Sequence, residues 1–212
     1  MVPCVQAVTD WASGETVVCT RARSRLWGQG RFCGTPAGRR ATLRDVVPRE
    51  PNAVLLELAR RYADLVRQHF GDRLVSVVLF GSVARGDASA ASDLDLLIVA
   101  EDLPQGQFAR KRLLAAADAA FEEDLERAQS AGVDTRLARI IRTPDEAARP
   151  IPLYFDLTED AVILHDRREF FAGVLDRLRV SLRRLGARRV RQGAVWYWDL
   201  KPDFKPGDVV EI

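Results

Sequence analysis

Two aspartates stand one residue apart, Asp93 and Asp95, at the head of the apolar run DLDLLIVA (93–100). Shortly before them, Gly81 and Ser82 close the run LVSVVLF (74–80). Side chains alternate along a strand, so Asp93, Asp95, Leu97 and Val99 share one face, with residues two apart separated by about 6.5–7 Å. Side-chain tilt can bring two such carboxylates onto one divalent ion or a close metal pair. Like charges held side by side are unfavourable unless a cation or a set of donors compensates them. A second reading has Ser92-Asp93 capping the preceding turn and Asp95 solvated on an edge; against it, aspartate is depleted in strands.

Gly81-Ser82 has two readings as well. Glycine lets the backbone approach a ligand, and a hydroxyl with free N–H groups can receive phosphate oxygens; the same pair also makes an ordinary end to a strand. Arg85, three residues on, either meets a phosphate or sits in solvent. The stretch is not a P-loop, which requires a lysine that is absent here.

These residues need elements to hold them. From Pro51 a helical period places Leu55, Leu58, Tyr62, Leu65 and Val66 on one face, with Gly71 where a C-terminal cap belongs. The β-branched run 74–80 is expected as a buried strand and 93–100 as a second. Residues 107–129 form one long alanine-rich helical segment carrying Leu113, Leu114, Ala117, Phe121, Leu125 and Ala128, and RLARIIR (136–142) is a third strand. A short apolar piece (153–166) precedes an amphipathic helix from about Arg168 to Leu185 capped by Gly186, and the tail around Gly193 reads as strand, turn and extended end. The order implies an α+β (mixed α/β) domain, a small mixed sheet flanked by helices with a C-terminal helix and β tail.

The totals agree with one good-sized domain: 212 residues, 47% apolar, net charge +2. That charge is too small to steer nucleic acid in bulk, although 29 of the 32 basic residues are arginine and they cluster locally. Cys4, Cys19 and Cys33 are odd in number and show neither zinc-site spacing nor a disulfide framework. With no long apolar run and no secretory pattern, a soluble cytoplasmic protein is expected. Residues 1–45 show no sustained period. They read either as an irregular extension or as residues upstream of the true translational start, at a position such as Leu43, Val46 or Val47. The expected division is 1–45, a main α+β domain over 46–166, and a C-terminal helix and tail over 167–212 packed on it.

FGSVARGDASAASDLDLLIV resembles the nucleotidyltransferase superfamily with the DNA polymerase β type of palm, and in particular the minimal nucleotidyltransferases of archaea and bacteria. The likeness is specific over about 75–99 and extends more loosely through PLYFDLTEDAVILHD and YWDLKPD. It implies that Asp93 and Asp95 hold Mg²⁺ (or Mn²⁺), and that Gly81 and Ser82, with Arg85, bind the phosphates of a nucleoside triphosphate, ATP above others. An acceptor hydroxyl on protein, RNA or a small molecule would attack the α-phosphate and release pyrophosphate. The pattern departs at one point: many active members carry a third carboxylate on the strand after the next helix, and RLARIIR contains no acid. Asp134, Asp156 and Asp160 lie nearby in sequence, with turn and cap roles as the alternative. A second hypothesis is therefore a nucleotide-binding or antitoxin-like protein that pairs with a toxin-like partner and turns over weakly or not at all.

Residues 177–191 hold Arg177, Arg179, Arg183, Arg184, Arg188, Arg189 and Arg191 without an acid, near Trp196, Tyr197 and Trp198. They read as an RNA or acidic-partner contact, or as a solvated helix end over core aromatics. His69 and His165 have no partner set that would make either a general base.

Overall fold

The computed structural model describes residues 6–9, 16–19, 50–192 and 195–203, for the first two segments and residues 192, 195 and 196 by their backbone. Cys4, Cys33, Leu43, Val46, Val47 and Gly193, and the side chains of Cys19 and Trp196, lie outside the described residues. The chain divides into two units, Met1–Asp45 and Val46–Ile212. In the first, β1 (Gln6–Thr9) and β2 (Thr16–Cys19) form an antiparallel pair. The sequence gives no sustained period there because two four-residue strands are too short to show one.

In the second unit, α1 (Pro51–Phe70) starts with proline in its first turn and buries Leu55, Leu58, Ala59, Tyr62, Leu65 and Val66. It stops at Gly71, whose φ of 54° suits glycine and whose N–H donates to the Arg67 carbonyl. A 3₁₀ turn leads into β3 (Leu74–Phe80), then come α2 (Gly81–Arg85) and β4 (Leu94–Ala100). α3 (Gln107–Leu113), α4 (Ala115–Ser130), β5 (Leu137–Arg142) and α5 (Pro144–Ala147) follow. After them lie α6 (Leu153–Asp160), β6 (Val162–Asp166), α7 (Phe170–Leu185), β7 (Arg188–Gln192) and β8 (Val195–Asp199).

The main sheet has the order β5-β4-β3-β6. β3 is antiparallel to β4 and to β6, and a short turn suffices between β3 and β4; β5 is parallel to β4 and so needs the crossover through α3 and α4. β3 and β4 lie inside the sheet with helices on both faces, which is why both read as continuous apolar runs. Val77, Leu79, Leu96 and Ile98 join the core under α1 and α4, while Val78, Leu97 and Val99 join the core under α6 and α7. Asp95 lies opposite Phe80 and, by alternation with Leu97 and Val99, on the α6–α7 face.

Three expectations are corrected. The segment 107–129 is two helices broken at Leu114 (φ −86°, ψ 2°), whose fully buried side chain enters the core. α3 is tethered through Arg110 to the Pro104 and Ile141 carbonyls and bidentately to Glu146, whereas α4 is tied to α1 by Tyr62 and Asp118. The piece 153–166 divides into α6 and β6. The helix expected from Arg168 starts at Phe170, because Arg168 and Glu169 adopt left-handed φ of 55° and 54°. The Asp166 carboxylate then accepts the Phe171 and Ala172 N–H groups at 3.0 and 2.9 Å and the Ser76 hydroxyl at 2.6 Å.

The β7–β8 hairpin docks on α6. Trp198 Nε1 donates to Asp156 at 3.0 Å, Arg189 meets Asp160 at 2.9 Å and Asp156 at 3.5 Å, and the Trp198 ring stands edge-on to Phe155. No helix among the described residues is long and apolar enough to cross a membrane.

Candidate active site

The end of β3 and the start of β4 meet at Gly81 and Asp95. Gly81 has φ +75°, and a Cβ placed on it would overlap the Asp95 carboxylate, with Asp95 Cγ at 3.0 Å and Cβ at 3.3 Å. Glycine is thus required twice, for the backbone turn into α2 and for the space Asp95 occupies. α2 has no side-chain cap, and its last turn closes on Gly86 in the left-handed region.

Asp95 is half-buried at this contact, while Asp93, just before β4, is exposed. Burial pushes the Asp95 carboxyl above its ordinary value; the negative charge of Asp93 pushes it the same way, and the Arg85 guanidinium opposes both. Arg85 also contacts Asp87 at 3.3 Å. The site therefore carries two mutually repelling carboxylates with arginine compensation close by.

The loop between α2 and β4 is held at several points. Ser92 N–H donates to the Ser89 carbonyl at 3.1 Å, and Ser89 N–H to Ser92 Oγ at 2.9 Å. The Ser92 carbonyl accepts the buried Thr135 hydroxyl at 2.8 Å, Leu94 N–H donates to the Arg136 carbonyl at 2.8 Å, and Asp134 N–H donates to the Ala90 carbonyl at 2.8 Å. The residues on either side of Asp93 are thus fastened to the start of β5. Thr135 was not among the sequence candidates; its role rests on a contact 43 residues away in the chain.

The structure brings Gly81, Asp95 and Arg85 together, with Asp93 acting on Asp95 through its charge. Among the described residues it does not bring a third acid to them. In the parallel register the residue beside Asp95 on β5 is Ala138. Asp156 and Asp160 are engaged by Trp198 and Arg189, and Asp134 is an exposed loop residue whose backbone N–H donates to Ala90. Among the described residues, no group of three His, Cys, Asp or Glu side chains could hold a metal ion.

The donor set still fits one kind of ion. Two carboxylates are hard oxygen donors, and a Mg²⁺-type ion is commonly held by one or two carboxylates together with substrate phosphates, without a full protein cage. Burial first and the Asp93 charge second raise Asp95, and such an ion would offset both by neutralising the paired carboxylates.

A family model described as a nucleotidyltransferase domain matches residues 59–149, which include the Gly81 turn and both aspartates. A candidate protein adenylyltransferase of Methanocaldococcus jannaschii is 33% identical over 121 residues, 56% of this chain and 77% of that protein. The chain belongs to the nucleotidyltransferase family. A second candidate protein adenylyltransferase of the same organism is 36% identical over 50 residues, and there the match spans 24% of this chain and 50% of the relative.

Solved structures with a similar course include a toxin-antitoxin with AMP-PNP, 16% identical with a TM-score of 0.37, covering 60% of this chain and 92% of that one. A candidate nucleotidyltransferase from Sulfolobus solfataricus is 22% identical with a TM-score of 0.35, covering 60% and 95%. At these scores neither bears on substrate or partner. As a nucleotidyltransferase, the chain has the Gly81-Ser82 turn and the strand that carries Asp95 in the stretch that the family match covers.

Proposed function

We propose that this nucleotidyltransferase moves a nucleoside monophosphate, AMP, from ATP to a hydroxyl acceptor and releases pyrophosphate, with a divalent cation held by Asp93 and Asp95. The observation that carries the reading is the Gly81–Asp95 contact, in which the turn suited to phosphates and the carboxylate suited to their counter-ion occupy one point in the fold.

In this reading the backbone at Gly81 and the Ser82 hydroxyl hold the β- and γ-phosphates, and Arg85 supplies positive charge beside them. Asp93 and Asp95 hold the cation, which when bound supplies charge neutralisation for the triphosphate and the leaving pyrophosphate. The acceptor oxygen forms a bond to the α-phosphorus as the α–β phosphoanhydride bond breaks. The hydroxyl proton leaves to solvent or to the carboxylate nearest the acceptor. Ser92, Thr135 and Arg136 keep Asp93 in place during the exchange.

A second reading rests on Ala138. With no acid beside Asp95 on β5, the chain would bind the nucleotide and act chiefly through a protein partner, toxin-like or otherwise. Incubation with α-labelled ATP, Mg²⁺ and cell extract separates the two. The transferase reading expects label on an acceptor that is lost in Asp93→Asn/Asp95→Asn. Metal-dependent ATP binding without transfer favours the partner reading, and equal labelling by both proteins overturns the assignment of the aspartates.

A further inference from the structure

A groove of about 330 Å³ runs between α1 and β6, lined by Arg60, Ala63, Asp64 and Arg67 on the helix and by residues 162–165 on the strand. The helix residues fall at spacings of three, four and seven, a single stripe along α1. The strand residues are consecutive, and side chains alternate along a strand, so the groove is bordered by the edge of β6 and not by one of its faces. β6 is the outermost strand on its side of the main sheet and pairs with β3 alone. Among the described residues, its outer backbone N–H and C=O groups therefore have no strand to pair with.

A bulge shapes this edge. Val78 pairs with Ile163 but Val77 pairs with His165, which makes Leu164 the extra residue. Leu164 packs against the core under α1, and His165, opposite Val77, stands on that same face. The charge along the groove is uneven. Asp64 holds Arg67 at 3.2 Å, whereas Arg60 is exposed and makes no hydrogen bond or ion pair with another described residue. From Arg60 to Arg67 the helix rises about 10 Å, a length that three to four residues of extended chain cover.

We propose that this groove takes up an extended acidic segment of a partner protein, which adds a strand to β6 and sets a carboxylate on Arg60. An added strand meets the outward N–H and C=O groups with its own main chain and sends alternate side chains toward α1. Polynucleotide phosphates accept hydrogen bonds but donate none, so they would leave the carbonyls of the edge unmatched. A second copy of this chain, pairing β6 with β6 about a two-fold axis, would set the arginine stripes of the two α1 helices against each other across the junction. β3 separates β6 from β4, so the groove is distinct from the Gly81–Asp95 contact and its occupancy does not depend on nucleotidyl transfer.

The test is fluorescence anisotropy with the full-length protein and a labelled peptide of about seven residues alternating valine and glutamate, at about 50 mM salt. The wild type is expected to bind it and to show slowed hydrogen exchange at the amides of residues 162–166. The same peptide with every amide nitrogen methylated should not bind. Arg60→Glu is expected to weaken binding about tenfold and to bind a peptide alternating valine and lysine more tightly than the wild type does. Thermal melts of Arg60→Glu should match the wild type, since Arg60 is exposed and unpaired among the described residues. Asp93→Asn/Asp95→Asn should bind the valine–glutamate peptide undiminished, so failure of the transferase reading leaves this result unaffected. Absence of wild-type binding, equal binding of the methylated peptide, or unchanged affinity in Arg60→Glu would each overturn the proposal. So would displacement by a single-stranded oligonucleotide as effective as by unlabelled peptide, or sedimentation showing that the peptide binds only by dissociating a dimer of the chain.

Discussion

The Asp95 carboxylate fills the space where any other residue at position 81 would carry its Cβ, so Gly81 and Asp95 fit together only because Gly81 has no side chain. The contact joins the first residue of α2 to the first polar residue inside β4. It makes the short loop between them part of the site.

Gly81→Ala is expected to destabilise the fold by about 1–2 kcal/mol, from the positive φ and the displaced carboxylate, and to lower nucleotidyl transfer far more than stability. Gly86→Ala is its control. Gly86 has φ +81° with nothing near its missing Cβ, so that variant should cost about 1 kcal/mol in urea melts and keep its nucleotide binding.

Asp95→Asn should raise the melting temperature of the metal-free protein, because it removes a half-buried charge repelled by Asp93. The same variant should lose the stabilisation that divalent cation and ATP together give the wild type. Differential scanning fluorimetry with and without ligands reads both effects.

Arg110 is 4% exposed and held bidentately by Glu146. The Arg110 hydrogen bonds hold the Glu146 carboxyl down to about 2 from the ordinary 4.5, helped by the Thr143 N–H and opposed by burial. A depressed carboxyl stabilises the fold above its unfolded value, and that contribution is lost as pH falls from about 4.5 through about 2. Wild type should lose stability over that window, and Glu146→Gln should lose less there while being weaker at neutral pH. Denaturant melts at several pH values check this.

Trp198→Phe keeps a ring against Phe155 and deletes the donor to Asp156, so it should cost about 1 kcal/mol. Arg189→Ala leaves both Asp156 and Asp160 without their cation and should cost about 2–3 kcal/mol. If the hairpin were only a loose tail, neither variant would shift a urea midpoint.

The strands carrying the site were legible in the sequence because their signals are local: β3 and β4 fall within a residue of the expected bounds, and the glycine, serine and aspartates sit where a strand ends or begins. The break at Leu114 was not, since it arises from two separate tethers, Arg110 to α5 and Tyr62 to α4, that no helical period records. Nor were the Thr135–Ser92 and Trp198–Asp156 bonds, each spanning more than 40 residues. Those bonds decide which acids remain near Asp95, and they assign Asp156 to the hairpin.

The most direct measurement is a crystal structure with Mn²⁺ and an α,β-methylene analogue of ATP. An anomalous peak within ligand distance of both Asp93 and Asp95, with the β- and γ-phosphates against Gly81 and Ser82, is the expected result. Nucleotide bound elsewhere, or bound at the turn with no metal at the two aspartates, would contradict the account.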